Sequence, residues 1–109
     1  MILAKFFSSE GTLLGFEISG HSGFKKSGSD IVCASVSSCA YMVANTVTDV
    51  FHIDAEIEVE PESGFLSLFV PLSKAKEPAP LFEGFLLHLK ELEKDYGKYL
   101  KVENVILHK

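Results

Sequence analysis

The two cysteines of this sequence differ in the chemistry that their positions allow. Cys33 and Cys39 are six residues apart on one predicted helix, a separation of about 9 Å along the helix axis. A disulfide needs Cα atoms closer than about 7 Å, so we do not expect the two thiols to pair. No CxxC or HxxxH spacing occurs in the chain, and we therefore expect neither a metal nor another cofactor.

Position on the predicted helix separates the two thiols. Cys39 falls within a stripe of valines, where a cysteine usually acts as a small buried hydrophobic residue. Cys33 lies at the edge of that stripe. With Asp30 as the N-cap, Cys33 is the third residue of the helix, where unpaired backbone N–H groups and the helix dipole favour a thiolate. The Asp30 carboxylate opposes this effect in part, and Ser29 is an alternative N-cap. Position alone therefore leaves open a half-buried structural thiol.

A thiolate nucleophile needs an imidazole nearby, and the chain has four histidines. His108 lies next to the C-terminus, and His88 is predicted to face solvent on the second helix. His52 is predicted to interact with the dipole at the exit of the first helix. His21 ends a predicted strand and is joined to Cys33 by a short loop that would let the two side chains converge. A surface-loop histidine is the alternative interpretation.

Three residues could orient the imidazole. Glu17 shares a predicted strand face with His21, Asp30 is near in sequence, and Ser37 lies one helical turn after Cys33. Because such side chains more often cap helices or face solvent, the sequence does not choose among them.

Hydrophobic periodicity places these residues on predicted elements. Residues 53–60 alternate apolar and acidic side chains, which is typical of a strand with one solvated face. Valines from residue 32 to residue 50 recur at helical spacing and predict one buried stripe. The order β-β-α-β-β-α-β predicts a two-layer α+β domain, with two helices packed on one face of a mixed sheet. The predicted strands are 2–8, 13–20, 53–60, 65–70 and 99–107, and the predicted helices are 30–50 and 80–96.

Size and composition limit the class of protein. At 109 residues we expect a single domain spanning residues 1–109. The net charge of −5 argues against a protein that mainly grips nucleic-acid phosphates. The longest apolar run, residues 40–44, is far shorter than the roughly 20 residues that cross a bilayer. The N-terminus lacks the pattern of a signal peptide, so we expect a cytoplasmic protein with reduced cysteines and no membrane partner.

One motif combines these features. Gly20-His21 is followed, after eleven intervening residues, by Cys33 within the sequence DIVCASVS at residues 30–37. This pattern resembles the signature of the ribosomal-processing cysteine protease family, and the resemblance covers the whole chain. Ser35 stands where the family often has a second alanine after the cysteine.

The resemblance implies a function. Members of the family that it resembles are thiol endopeptidases that remove the N-terminal extension of a large-subunit ribosomal protein. They cleave after a pair of aromatic residues, and they are homodimers. It implies that His21 and Cys33 are the catalytic residues. It also implies that the loop 20–29, which we predict to be mobile, closes over the substrate peptide. The substrate-binding residues of that loop would be Gly20, Gly23, Phe24 and Gly28.

The main alternative is a non-enzymatic ribosome-associated or RNA-binding module. The net charge and the absence of a basic stripe oppose it, because Lys25, Lys26, Lys74 and Lys76 are too few. A phosphate-handling enzyme would fit the glycine-rich loop, but the chain lacks the GxxxxGK[ST] pattern. We therefore expect a peptide substrate and no direct contact with nucleic acid.

Overall fold

The computed structural model describes the backbone of residues 1–20 and 27–107, and the side chains of residues 1–20 and 31–107. The element order confirms the predicted β-β-α-β-β-α-β succession and the α+β fold class. The elements are β1 (Ile2–Ser9), β2 (Thr12–Ser19), α1 (Ser27–Asn45), β3 (Glu56–Glu60), β4 (Phe65–Phe69), α2 (Ala79–Tyr96) and β5 (Leu100–Ile106).

The five strands form one mixed sheet in the order β3-β4-β2-β1-β5. The pairs β1–β2, β2–β4 and β3–β4 are antiparallel, whereas β1 and β5 are parallel. Glu10 and Gly11 connect β1 to β2 with φ angles of 52° and 80°, as a tight hairpin turn requires.

Both helices cover the same face of the sheet. Phe6 and Phe16 point to that face, and the ring of Phe85 on α2 lies 5.3 Å from Phe6 and 5.0 Å from Phe16 between centroids. The α1 side chains Val36 and Val43 are 1% exposed and belong to the same buried cluster. A hydrophobic core between one sheet face and two helices therefore holds the fold together.

The start of α1 differs from the prediction. The helix begins at Ser27 rather than near Asp30, so Cys33 is its seventh residue and not its third. Residues 27–29 contain no proline, and the helix cost of Gly28, about 1 kcal/mol, is small enough for the helix to extend through them. The expectation that Cys33 lies among the unpaired N–H groups of the first turn is therefore wrong, and Gly28 is helical rather than part of the loop.

The end of the helical region also differs. A π-helical turn, Thr46–Val50, follows α1, and the Phe51 N–H donates to the Thr46 carbonyl at 2.9 Å. A π turn holds more residues than an α turn and so shifts the helical phase. Val47 remains fully buried, but Val50 is 66% exposed. The prediction that Val50 belongs to the buried stripe was therefore wrong.

Strand β3 is shorter and more exposed than predicted. Residues 53–55 precede the strand, and the Ile53 N–H donates to the Val47 carbonyl at 3.0 Å. Ile53 is thereby buried against the end of the π turn. All five residues of β3 are exposed, although one face of the strand was predicted to be buried. The strand is exposed because it lies at the edge of the sheet, where it has a neighbouring strand on one side only among the described residues.

The segment Ile31–Val50 is long and apolar enough to cross a membrane, judged by length and composition alone. The core helix of a globular protein passes the same test. In this structure, Val32, Val36, Val43 and Val47 of that segment are all 1% exposed or less, which is how a core helix packs.

Candidate active site

Cys33 lies on the second turn of α1, and its thiol is free and half-buried. It lines a cleft of about 200 Å³. The cleft is mostly apolar, and no charged side chain lines it among the residues that the structure describes. The lining residues are Ile2, Ile18, Gly20, Cys33, Val36, Ser37, Ala40, Tyr41, Pro61, Gly64, Phe65 and Leu66.

Three parts of the fold form this cleft. Helix α1 supplies one wall, the end of β2 and the start of β1 supply the floor, and the turn between β3 and β4 supplies the opposite wall. That turn is a short 3₁₀ segment, Pro61–Ser63, closed by Gly64 at φ 68°. A left-handed residue here suits glycine, so the sequence fixes the shape of this wall.

Gly20 is a constrained part of the cleft. Its φ is +86°, and a Cβ atom built on it would lie 2.5 Å from the Met1 carbonyl oxygen. Both facts require glycine at this position. The end of β2 is thereby held against the start of β1, at the point where the chain continues to His21.

The other predicted site residues are placed as follows. Ser37 is exposed and lines the cleft with Cys33, one turn further along α1. Asp30 belongs to α1, but its side chain lies outside the described residues. His21, Gly23 and Phe24 also lie outside the described residues.

Comparison with known proteins identifies the family. Residues 1–101 match the sequence model of a family described as cysteine protease Prp. The chain belongs to the Prp family of cysteine proteases. It is 29% identical over 99 residues to the ribosomal processing cysteine protease Prp of Bacillus subtilis, covering 87% of this chain and 88% of that protein. The family confirms that the chain is an enzyme, a cysteine protease.

Solved structures share the fold. A Streptococcus mutans protein matches with a TM-score of 0.85 at 24% identity, over 98% of this chain and 96% of its own. The essential ribosomal processing protease Prp from Staphylococcus aureus, in complex with a substrate peptide, matches with a TM-score of 0.85 at 18% identity, over 95% of this chain and 99% of its own. A second structure of that protease, with a covalently linked product peptide, matches with a TM-score of 0.83 at 19% identity, over the same shares of the two chains.

Glu17 does not approach Cys33 in this Prp-family fold. Its neighbours on β2, Phe16 and Ile18, are buried on the helix side of the sheet, so Glu17 points to the opposite side. There it is paired across the sheet with Lys5 and Ser67. The sheet therefore separates Glu17 from the helix that carries Cys33.

Cys39 faces a different part of the surface. It is half-buried rather than fully buried, and it lines an apolar groove between α1 and α2 together with Met42, Leu81 and His88. His88 is exposed, as predicted, and His52 is exposed beyond the far end of α1 at φ 56°. In the described part of the chain, no group of three or more His, Cys, Asp or Glu residues could hold a metal ion.

Sequence reasoning missed the far wall of the cleft. Tyr41 could have been found, because Cys33, Ser37 and Tyr41 are spaced four residues apart and share one helix face. Pro61 and Phe65 carry no such signal, because only the sheet order brings the β3–β4 turn to this helix. The cleft can accommodate an apolar side chain beside the Cys33 thiol. Ser37 and Tyr41 contribute hydroxyl groups to the wall of the cleft.

Proposed function

We propose that this Prp-family enzyme is an endopeptidase that removes the N-terminal extension of a bacterial large-subunit ribosomal protein, with Cys33 and His21 as the catalytic pair. The observation that carries the proposal is that the free thiol of Cys33 opens into the same cleft as Gly20, the residue bonded to His21. Because His21 directly follows Gly20 in the chain, the proposal assigns it as the partner of the Cys33 thiol.

The peptide substrate has support from the relatives. The Staphylococcus aureus Prp structures contain a substrate peptide and a covalently linked product peptide, and the Bacillus subtilis relative is a ribosomal processing protease. The apolar cleft beside Cys33 suits the aromatic residues that the family resemblance implies before the scissile bond.

The chemistry follows the pattern of thiol proteases. The Cys33 sulfur attacks the scissile carbonyl carbon, and the thiol proton passes to His21. The imidazolium protonates the leaving amine as the C–N bond breaks, which leaves an acyl-enzyme thioester. His21 then removes a proton from water, whose oxygen attacks the thioester and releases the carboxylate product and the thiol.

Two residues are proposed to support the pair. Ser37 shares the cleft with Cys33, and Asp30 precedes Cys33 by three residues on α1. Either could orient the imidazole by accepting its second N–H. We further propose a cytoplasmic homodimer in which residues 1–109 form one domain, with Gly20, Gly23, Phe24 and Gly28 contributing to substrate binding.

A processing assay tests the proposal. The unprocessed ribosomal protein from the same organism is incubated with the wild-type enzyme, and the new N-terminus is read by mass spectrometry. We expect cleavage at one bond, with Cys33→Ala and His21→Ala each reducing the rate by at least about 10³-fold. Cys39→Ala is the matched control and should keep its activity. A Cys33→Ala protein that still trims the precursor would refute the assignment.

A further inference from the structure

The outer edge of β3 has no strand partner among residues 1–20 and 27–107. Within that part of the chain β3 pairs only with β4, and all five of its residues, Glu56–Glu60, are exposed. An edge strand presents a row of backbone N–H and C=O groups that can pair with another chain.

The opposite edge of the sheet is treated differently. On β5, the Val102 N–H donates to the Glu93 carboxylate of α2 at 2.9 Å. Helix α2 packs along that strand. A side chain thus accepts a hydrogen bond from a backbone N–H at the β5 edge. On β3, the one side-chain hydrogen bond to the backbone among the described residues comes from Ser63, in the turn that follows the strand.

The two faces of β3 are chemically distinct. Ile57 and Val59 lie on the helix side of the sheet, paired with the buried Leu68 and Leu66, yet they are 40% and 46% exposed. The intervening residues Glu56, Glu58 and Glu60 point to the other side. A strand added here would meet acidic side chains on one face and apolar side chains on the other.

Charge selects the kind of strand that fits. Residues 49–62 contain six acidic residues and no Lys or Arg. A second copy paired antiparallel about the centre of β3 would place two Glu58 side chains side by side, and like charges across a strand pair are destabilising. Lysine or arginine beside the glutamates is stabilising instead, as are apolar residues beside Ile57 and Val59.

We propose that the outer edge of β3 binds, as a sixth strand, an extended segment of another protein in which basic residues alternate with apolar ones. Main-chain hydrogen bonds supply affinity in this mode, and the alternating side chains supply specificity. The strand ends at Glu60, and the next residue, Pro61, lines the Cys33 cleft, so the bound segment runs up to the cleft. The proposal holds whether or not Cys33 cleaves peptides.

Binding by a designed probe tests the proposal. The probe is a fluorescein-labelled ten-residue peptide of alternating lysine and valine, and its binding to the full-length Cys33→Ala protein is followed by fluorescence anisotropy at low salt. The Cys33→Ala background prevents cleavage and keeps this result separate from the processing assay. Replacing Glu56, Glu58 and Glu60 together by Gln should weaken binding by about tenfold or more.

A matched control removes the same charge elsewhere. Glu77→Gln, Glu83→Gln and Asp95→Asn change three exposed acidic residues on or before α2, and this triple variant should bind the probe with near wild-type affinity. Equal weakening by both triple variants would overturn the proposal, because it would reduce the effect to net charge.

Backbone methylation distinguishes strand addition from charge attraction. Two further probes carry N-methyl groups on alternate residues, one on the odd and one on the even positions. Only one set of N–H groups faces β3, so one probe should bind and the other should not. Equal binding of both probes would contradict the added strand. Stronger self-association of the Glu56/Glu58/Glu60→Gln variant, with no binding of any probe, would instead assign this edge to a second copy and overturn the proposal.

Discussion

Cys33 and Cys39 carry the same functional group on the same helix, but they face different surroundings. Cys33 opens into a cleft between α1 and the β3–β4 turn, whereas Cys39 lines a groove between α1 and α2. Helical spacing predicts this separation, because six residues correspond to a rotation of about 240°. Spacing does not predict how deeply each thiol is buried, since that depends on the neighbouring elements.

Replacement of Cys39 should affect stability alone. Cys39→Ala removes a half-buried sulfur and should lower the free energy of unfolding by about 1 kcal/mol, with processing activity retained. Urea unfolding and the precursor assay measure the two effects. A well-folded Cys39→Ala protein without activity would contradict the assignment of the two thiols.

Gly20 should be intolerant of any side chain. Gly20→Ala forces an L-residue to φ +86° and places its Cβ 2.5 Å from the Met1 carbonyl oxygen. We expect the free energy of unfolding to fall by about 2 kcal/mol or more. Gly84→Ala is the control, because its added Cβ would meet no atom within 4 Å apart from the adjoining residues and backbone of its own helix. That change should be neutral or stabilising by up to about 1 kcal/mol, and urea unfolding compares the two variants.

At the scale of elements, the π turn after α1 decides which valines reach the core. The sequence predicts a continuous stripe through Val50, because 18 residues correspond to five full α-helical turns after Val32. The structure instead turns Val50 outward and uses Ile53 to cover the end of the core. A pattern at 3.6-residue spacing gives no signal for a local change to i→i+5 bonding.

The two valines of this turn form a matched pair. Val47 is 0% exposed and Val50 is 66% exposed. Val47→Ala should lower the free energy of unfolding by about 2 kcal/mol, whereas Val50→Ala should change it by less than about 0.5 kcal/mol. Thermal or urea unfolding of both variants checks the difference. An equal loss of unfolding free energy in the two variants would indicate that α1 continues as a regular helix through residue 50.

Local patterns predicted the elements, and long-range pairing accounts for most of what they missed. The alternation at residues 53–60 correctly indicated a strand, but only the sheet order shows that β3 is an edge and that Ile57 and Val59 stay exposed. The same order brings Pro61 and Phe65 to the Cys33 cleft. These contacts join distant parts of the chain, so no local periodicity contains them.

At the scale of the whole molecule, neither of the two described helices covers the second face of the sheet. Phe7 and Phe69 lie half-buried on it, with ring centroids 5.0 Å apart. A half-buried aromatic pair on this face is compatible with the proposed homodimer.

Light scattering after size-exclusion chromatography tests the dimer. At micromolar concentration we expect a mass of twice the 12.0 kDa of one chain. The Glu56/Glu58/Glu60→Gln variant should keep this mass, because we assign the β3 edge to a different partner. A wild-type mass of a single chain would rule out the homodimer.

The parallel pairing of β1 with β5 affects the order in which the protein can be assembled during synthesis. Ile2 pairs with Leu100 and Ser8 pairs with Ile106, so the first strand to leave the ribosome pairs with the last. The β1–β2 hairpin can form early, but one edge of β1 stays open until residues 100–106 have emerged. Since closing such a long loop is entropically costly, docking of β5 is expected to be a late folding step, and a stalled chain would expose β1 to aggregation.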